Sequence, residues 1–202
     1  AQAKRKLANF RIQVGYPDTW RDYSGLRIVR GDAYGNWFRG SLFEYRRNVG
    51  KLGRPVDRGE WFMNPQTVNA LFAPAKNSIS FPAAILEPTF FDPNADAAVN
   101  YGAIGGVIGH ELLHGYDDQG SKFDADGNYR MWWTDEDRAR FEERAARLVD
   151  QAGQYVALRN FQNGDSIEDL KVNGALTLGE NIADLGGLAI AYEALQKAQQ
   201  GN

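Results

Sequence analysis

The segment Gly109–Gly115 reads Gly-His-Glu-Leu-Leu-His-Gly, and its spacing constrains the fold more than any other part of the sequence. Residues four apart on an α-helix project from one face, so His110 and His114 can bind one metal ion. Glu111 lies about 100° around the helix from His110, where its carboxylate can hold a water without binding the metal. This H-E-x-x-H pattern is typical of hydrolytic zinc sites.

A chance histidine pair on a solvated helix face is the alternative interpretation, because short motifs also give false matches. Two observations oppose it. The flanking residues at Gly105–Ile108 and Leu112–Leu113 are small or apolar, which suits a buried helix, and buried histidines need polar or metal partners. These two are also the only histidines in the chain. The sequence therefore favours a metal site.

Composition narrows the class of protein. A chain of 202 residues, 43% hydrophobic and 24% charged, is expected to form one globular domain, and a net charge of −3 argues against a nucleic-acid partner. Without cysteine there are no disulfides or thiolate ligands, which leaves histidine and carboxylates to bind metal. The sequence begins with neither Met nor a signal-like segment, so we expect that processing or truncation has removed an earlier part.

Hydrophobic periodicity and capping residues predict the secondary structure. Strands are predicted at Arg11–Gly15, at Leu26–Val29, at Val68–Phe72 and at Ser78–Phe81, the last two joined by a five-residue turn. Helices are predicted over residues 1–10, over 36–49 with an Asn36 cap, from about Asp96 to Gly115, and after a Thr134 cap with an apolar stripe that extends to Tyr155. The strand at Val68–Phe72 matters most, because an edge strand beside a metal site can bind an extended peptide and the Asn69 amide can donate and accept. An ordinary hairpin with a turn-favouring Asn69 is the alternative.

Carboxylates supply the remaining candidates for the site. Asp117 and Asp118 follow His114, and one of them can accept the outer N–H of that ligand, unless they form only a solvated turn. A catalytic zinc needs a third protein ligand, and Glu180 is the best candidate, with Asp184 on the same helical face to orient a ligating histidine. The competing interpretation is a capping box in which Glu180 turns back to the backbone of Thr177.

Four separated motifs resemble the neprilysin family of zinc endopeptidases in the family's order. They are His110–Gly120 (HELLHGYDDQG), Val68–Ala70, Phe81–Leu86 (FPAAIL) and Gly179–Leu188 (GENIADLGGL), and the resemblance extends over about positions 16–193. It implies His110, His114 and Glu180 as ligands of one Zn²⁺ per chain and Glu111 as the general base. It also implies Asp184 and Asp117 as partners of the ligating histidines, with Asp184 contributing to catalysis, and Asn69 and Ala70 as residues that bind the peptide backbone.

Three departures accompany the resemblance, one of which is that the family's large helical lid before the catalytic region is missing apart from, at most, the first helix. Phe72 stands where members often carry Tyr, and the family draws a further His and an Arg from a C-terminal segment, whereas this chain ends at Asn202. The resemblance therefore implies that residues 1–202 form a single, incomplete metallopeptidase catalytic domain. We expect the missing segment or a neighbouring chain to cover apolar surface around Leu185, Leu188 and Tyr192.

The predicted fold is α+β, helix-rich and thermolysin-like, with a small sheet over the metal helix and the Glu180 helix packed across it. The predicted function is zinc-dependent hydrolysis of peptide bonds in oligopeptide substrates. The expected location is extracytoplasmic, either periplasmic or secreted, and the absence of cysteine is bacterial-like. A fragment that keeps zinc only for structure and binds peptides or acts as a scaffold is the rival hypothesis. Glu111 argues against it, because a structural site needs no base and is usually closed by a fourth protein ligand.

Overall fold

The computed structural model describes residues 2–164 and 166–201, and its helices and strands fall into two compact units, Ala1–Tyr16 with Met63–Asn202 and Pro17–Phe62. The larger unit contains helices α1 (Gln2–Ala8), α3 (Ala97–Gly102), α4 (Ile104–His114), α5 (Asp135–Ala152) and α6 (Leu178–Gln200). It also contains strands β1 (Arg11–Gly15), β2 (Leu71–Ala73), β3 (Ser78–Pro82), β4 (Val156–Asn163) and β5 (Ser166–Lys171). The smaller unit contains helix α2 (Ala33–Val49).

A three-stranded sheet supports the metal-motif helix. Its order is β1-β3-β2, with β1 parallel and β2 antiparallel to the central strand, so β2 is an edge strand. Every residue of β3 is buried. The two strands predicted around the turn are present, but β2 begins at Leu71 rather than at Val68, so Asn69 and Ala70 lie just before it.

The hydrophobic core lies between this sheet and α4. Its buried members come from the sheet and its flanks and from the first residue of α4: Ala70, Phe72, Ile79, Phe81, Ile85 and Ile104. Val107 and Leu112 of α4 pack against them. Since His110 and Glu111 are on the same helix as these core residues, packing of α4 fixes where the motif points.

The prediction of one helix from Asp96 to Gly115 is wrong at Ala103, where the backbone turns (φ −90°, ψ −92°) and separates α3 from α4. The break brings the Ile104 side chain into the core. The backbone N–H of Ile104 donates to the carbonyl of Phe90 at 3.1 Å. Glycines at 102, 105 and 106 weaken a continuous helix here, each by about 1 kcal/mol relative to Ala. Burial of one isoleucine therefore decides where the metal helix starts.

Helices α4 and α6 approach each other so closely that their backbones touch. A Cβ placed on Gly109 would lie 2.7 Å from the Cα of Gly187, and one placed on Gly187 would lie 2.9 Å from the carbonyl carbon of Gly109. Ala183, Gly187 and Ala191 form a buried stripe of small residues on α6 at intervals of four. Glycine at the crossing permits the contact that sets Glu180 and Asp184 beside the histidines.

Helix α5 and the hairpin after it show what capping signals revealed and what they did not. The Thr134 hydroxyl accepts the N–H of Asp137 at 3.1 Å, so the predicted cap is confirmed. The helix ends at Ala152, so Tyr155, the last residue of the predicted stripe, lies beyond the helix. The antiparallel hairpin β4–β5 was not predicted.

The smaller unit, Pro17–Phe62, corrects two expectations. Helix α2 is capped by Asp32, whose side chain accepts the N–H of Gly35 at 2.9 Å, so the Asn36 cap is wrong. The Asn36 side chain instead bonds the N–H and C=O of Val29, at 2.8 and 2.7 Å. The predicted strand at Leu26–Val29 does not form.

Helices dominate and the sheets are small, as the α+β prediction requires. Across residues 2–164 and 166–201, no helix combines the length and apolar character needed to cross a membrane.

The glycine contact predicts unequal effects of two alanine substitutions on α4. Gly109→Ala forces a Cβ into the α6 backbone, and we expect it to lower the free energy of unfolding by about 2–3 kcal/mol, as overpacking does. Gly106→Ala is the matched control, because its Cβ would meet no atom within 4 Å, and a better helix former there is worth up to about 1 kcal/mol. Thermal and urea unfolding measure both, and equal effects would disprove the contact.

Candidate metal centre

The two motif histidines turn one nitrogen each towards a common point. Their Nε2 atoms are 2.9 Å apart, and their rings meet edge to face with centroids 4.4 Å apart. Both residues belong to α4, four positions apart, as the helical spacing predicted. Two neutral imidazoles arranged in this way offer two lone pairs to one ion.

Each imidazole is held from behind by a carboxylate. His110 Nδ1 is 2.7 Å from Asp184 Oδ1, and His114 Nδ1 is 2.7 Å from Asp117 Oδ2. Asp117 is itself held, because its Oδ1 accepts the backbone N–H groups of Gln119 and Gly120 at 2.8 and 2.6 Å. A carboxylate on Nδ1 places the proton there, which leaves Nε2 free to bind a metal.

The Glu180 carboxylate lies opposite the two imidazoles. Its Oε2 is 3.3 Å from His110 Nε2 and 3.5 Å from His114 Nε2. The capping box that competed for this residue is not formed, since Thr177 caps α6 without a side-chain hydrogen bond and its hydroxyl donates to Asn173. Glu180 therefore faces the histidines and not its own helix end.

The donor atoms fit a single zinc ion. A triangle with sides of 2.9, 3.3 and 3.5 Å is small enough for one ion to reach all three corners at about 2.0–2.1 Å, the usual length of a zinc bond to nitrogen or oxygen. Two nitrogens and one carboxylate oxygen also match the donor set of catalytic zinc sites, which leave one position open.

Glu111, like Asp117, is a buried carboxylate of the site. It groups with both histidines, with one donor atom of each residue within 4.8 Å of the others, but it is 6% exposed and its carboxylate also accepts the backbone N–H of Phe72. Burial raises the pKa of Glu111, although the two imidazoles and that N–H oppose the shift. The hydrogen bond that His114 Nδ1 donates to the Asp117 carboxylate raises the pKa of His114. A raised carboxyl pKa moves Glu111 towards the range useful to a general base.

Two clefts meet at these residues. One, of about 360 Å³, lies between the histidines and Asn69–Phe72 at the start of the edge strand. The other, of about 500 Å³, is lined by Asn69, His110, Glu111 and Asp184 together with a mainly apolar wall formed by Ile85, Phe90, Val107 and Leu188. Asn69, His110 and Glu111 line both clefts.

Comparison with known proteins places this geometry in a family. Residues 69–202, which contain every donor described above, match the model of peptidase family M13. The chain belongs to peptidase family M13. The predicted relation to the neprilysin family is confirmed, and the α+β fold class with it.

Named relatives of this M13 chain come from animals and bacteria. It is 43% identical to Neprilysin-11 of Caenorhabditis elegans over 98% of its own length and 23% of that protein, and 40% identical to a putative zinc metalloproteinase of Streptococcus gordonii over 95% of its length and 33% of that protein. It superimposes on Mycobacterium tuberculosis zinc metalloprotease Zmp1, solved with an inhibitor, with a TM-score of 0.91, 54% identity and coverage of 100% of this chain and 30% of that one. The chain thus spans a quarter to a third of these relatives.

All the site residues predicted from the M13 motifs lie together. His110, His114, Glu180, Asp184, Asp117 and Glu111 surround one point, and Asn69 and Ala70 line the adjoining cleft. The contact between Gly109 and Gly187 agrees with the prediction that the Glu180 helix packs across the metal helix. The support that sequence reasoning missed is the backbone N–H of Phe72, for which the sequence holds no signal.

Asp184 provides a test of the geometry that is independent of catalysis. Asp184→Ala removes the carboxylate behind His110, and we expect zinc affinity, measured by competition with a chelator, to fall 10–100-fold. Glu193→Ala on the exposed surface of α6 is the control and should bind zinc as the unaltered chain does. Equal affinity of all three proteins would show that Asp184 does not orient a ligand.

Proposed function

We propose that this M13 chain supplies the zinc site of an endopeptidase, with His110, His114 and Glu180 binding one ion and Glu111 acting as the general base. The observation that carries the proposal is the triangle of donor atoms beside a buried carboxylate. A purely structural zinc site would need neither a base nor an open position. The rival scaffold hypothesis has no comparable support in the geometry.

The chain's own residues divide the chemistry among them. When bound, zinc supplies a Lewis acid that activates water and polarises a peptide carbonyl. Glu111 takes the proton of the attacking water and delivers it to the leaving amine. Asp184 and Asp117 keep the two imidazoles in the tautomer and orientation in which Nε2 faces the ion.

The edge strand gives the proposal its substrate class. Asn69, which lines both clefts, and Ala70, which lines the smaller one, precede β2, where an extended peptide can pair with the main chain and with the Asn69 amide. The wall formed by Ile85, Phe90, Val107 and Leu188 suits an apolar side chain of that peptide. Oligopeptides with an apolar residue next to the cleaved bond are the substrates that we propose.

We also propose the extent of the domain, the cover of helix α6 and the location of the protein. Residues 1–202 form the central part of one catalytic domain, because relatives are three to four times longer. The remainder of such a protein covers exposed apolar residues of α6 such as Leu185, Leu188 and Tyr192. An extracytoplasmic location is proposed from the sequence alone.

Replacing Glu111 separates catalysis from metal binding. Glu111→Gln removes the base but none of the proposed ligands, so we expect hydrolysis of a quenched fluorescent peptide to fall at least about 10²-fold while one zinc per chain remains bound. Glu193→Gln, the same substitution on the exposed surface of α6, should change neither quantity. Loss of zinc from Glu111→Gln would make Glu111 a ligand and would refute the assignment.

A further inference from the structure

One lysine is buried beneath the metal centre. Lys6 is 1% exposed, although it belongs to the basic run Lys4–Lys6 near the start of the chain. Its Nζ donates to the carbonyls of Gly115, Gly120 and Phe123 at 2.5, 2.8 and 2.7 Å. These three acceptors match the three N–H groups of an ammonium, so every donor of the group is satisfied.

The ammonium also lies in a favourable environment for a charge. The rings of Phe72, Tyr116 and Trp132 surround Nζ with centroids 5.5–5.8 Å away, within reach of cation–π attraction. Burial lowers the pKa of Lys6 to about 8, against the opposing charges of Asp117 and Asp124. Three carbonyl acceptors around Nζ call for three N–H groups, which only the charged ammonium has.

The carbonyls that Lys6 binds belong to the loop that carries Asp117. Gly115 and Gly120 stand on either side of Asp117, whose Oδ1 closes the turn by accepting the N–H of Gly120 while Oδ2 accepts from His114 Nδ1. The loop is tightly folded, since a Cβ on Gly120 would collide with the carbonyl of His114. Movement of the two carbonyls would move the Asp117 carboxylate away from the imidazole.

We propose that Lys6 is a positioning residue of the metal centre, which holds the loop from Gly115 to Phe123 so that Asp117 can orient His114. The proposal rests on the proposed function only in taking His114 as a zinc ligand. Lys6 makes no contact with the donor atoms and acts through Asp117. This role differs from general support of the fold, because a positioning role predicts that the effects of Lys6 and Asp117 on zinc affinity are coupled.

A double-mutant cycle on zinc affinity tests this coupling. Lys6→Met keeps the length of the side chain and removes the three donors, and we expect it to weaken zinc 10–100-fold, as Asp117→Asn should. If Lys6 acts through Asp117, the zinc affinity of the double variant is little lower than that of the single variant that binds zinc less tightly. If the two fold-losses in zinc affinity multiply in the double variant, the proposal is overturned. An unchanged zinc affinity in Lys6→Met would also overturn it.

Two control variants separate the three hydrogen bonds of Lys6 from the other contacts of helix α1. Tyr116→Phe removes another hydrogen bond between α1 and this loop, from the Tyr116 hydroxyl to the carbonyl of Ala3 at 2.8 Å. Lys4→Met removes an exposed charge from the same helix. Both should bind zinc within about 3-fold of the unaltered chain, and circular dichroism must show each protein folded at the assay temperature. A 10-fold loss in either control would mean that Lys6 acts as general support.

A measurement on the unaltered chain covers the case in which Lys6→Met does not fold. Zinc should slow amide hydrogen exchange both in the loop from Gly115 to Phe123 and in residues 2–10, because the hydrogen bonds of Lys6 link these two segments. Protection of the loop without residues 2–10 would overturn the Lys6 proposal and leave the zinc site intact. Failure of the unaltered chain to bind zinc would instead overturn the proposed function.

Discussion

The contact between Gly109 and Gly187 is the constraint on which the rest of the site depends. Helix α4 carries both histidines, and α6 carries Glu180 and Asp184, so the donor set exists only while the two backbones touch. Any side chain at the crossing would separate the helices by more than the few tenths of an ångström that a zinc site tolerates. The sheet contributes by packing its core against α4, which turns Glu111 inwards and leaves the histidines facing the cleft.

Charge explains why this arrangement calls for a cation. Four carboxylates, those of Glu111, Asp117, Glu180 and Asp184, gather around two imidazoles, and like charges so close repel one another unless a positive charge lies between them. A divalent ion is the largest local charge in such a site and offsets that repulsion. The ammonium of Lys6, buried behind Asp117, adds a second positive charge on the far side of the loop.

The sequence predicted which of these residues lie together better than it predicted where the helices begin. The intervals His110 to His114 and Glu180 to Asp184 are helical periods, and a local period survives any tertiary context. The start of α4 was mispredicted because burial of Ile104 overrides a run that reads as one helix, and the Asn36 cap because Asp32 competes for the same helix end. Nothing in the sequence marks Lys6 as buried, since only the fold brings residue 6 against carbonyls more than a hundred positions away.

We propose that two helices hold one zinc ion through His110, His114 and Glu180. Anomalous diffraction at the zinc edge, from crystals of the zinc-loaded chain, tests it most directly. The account predicts one anomalous peak per chain at about 2.0–2.2 Å from the two Nε2 atoms and a Glu180 oxygen, with Glu111 not bonded to the ion. A peak bonded to Glu111 in place of Glu180, or one on the Nδ1 atoms, would contradict it.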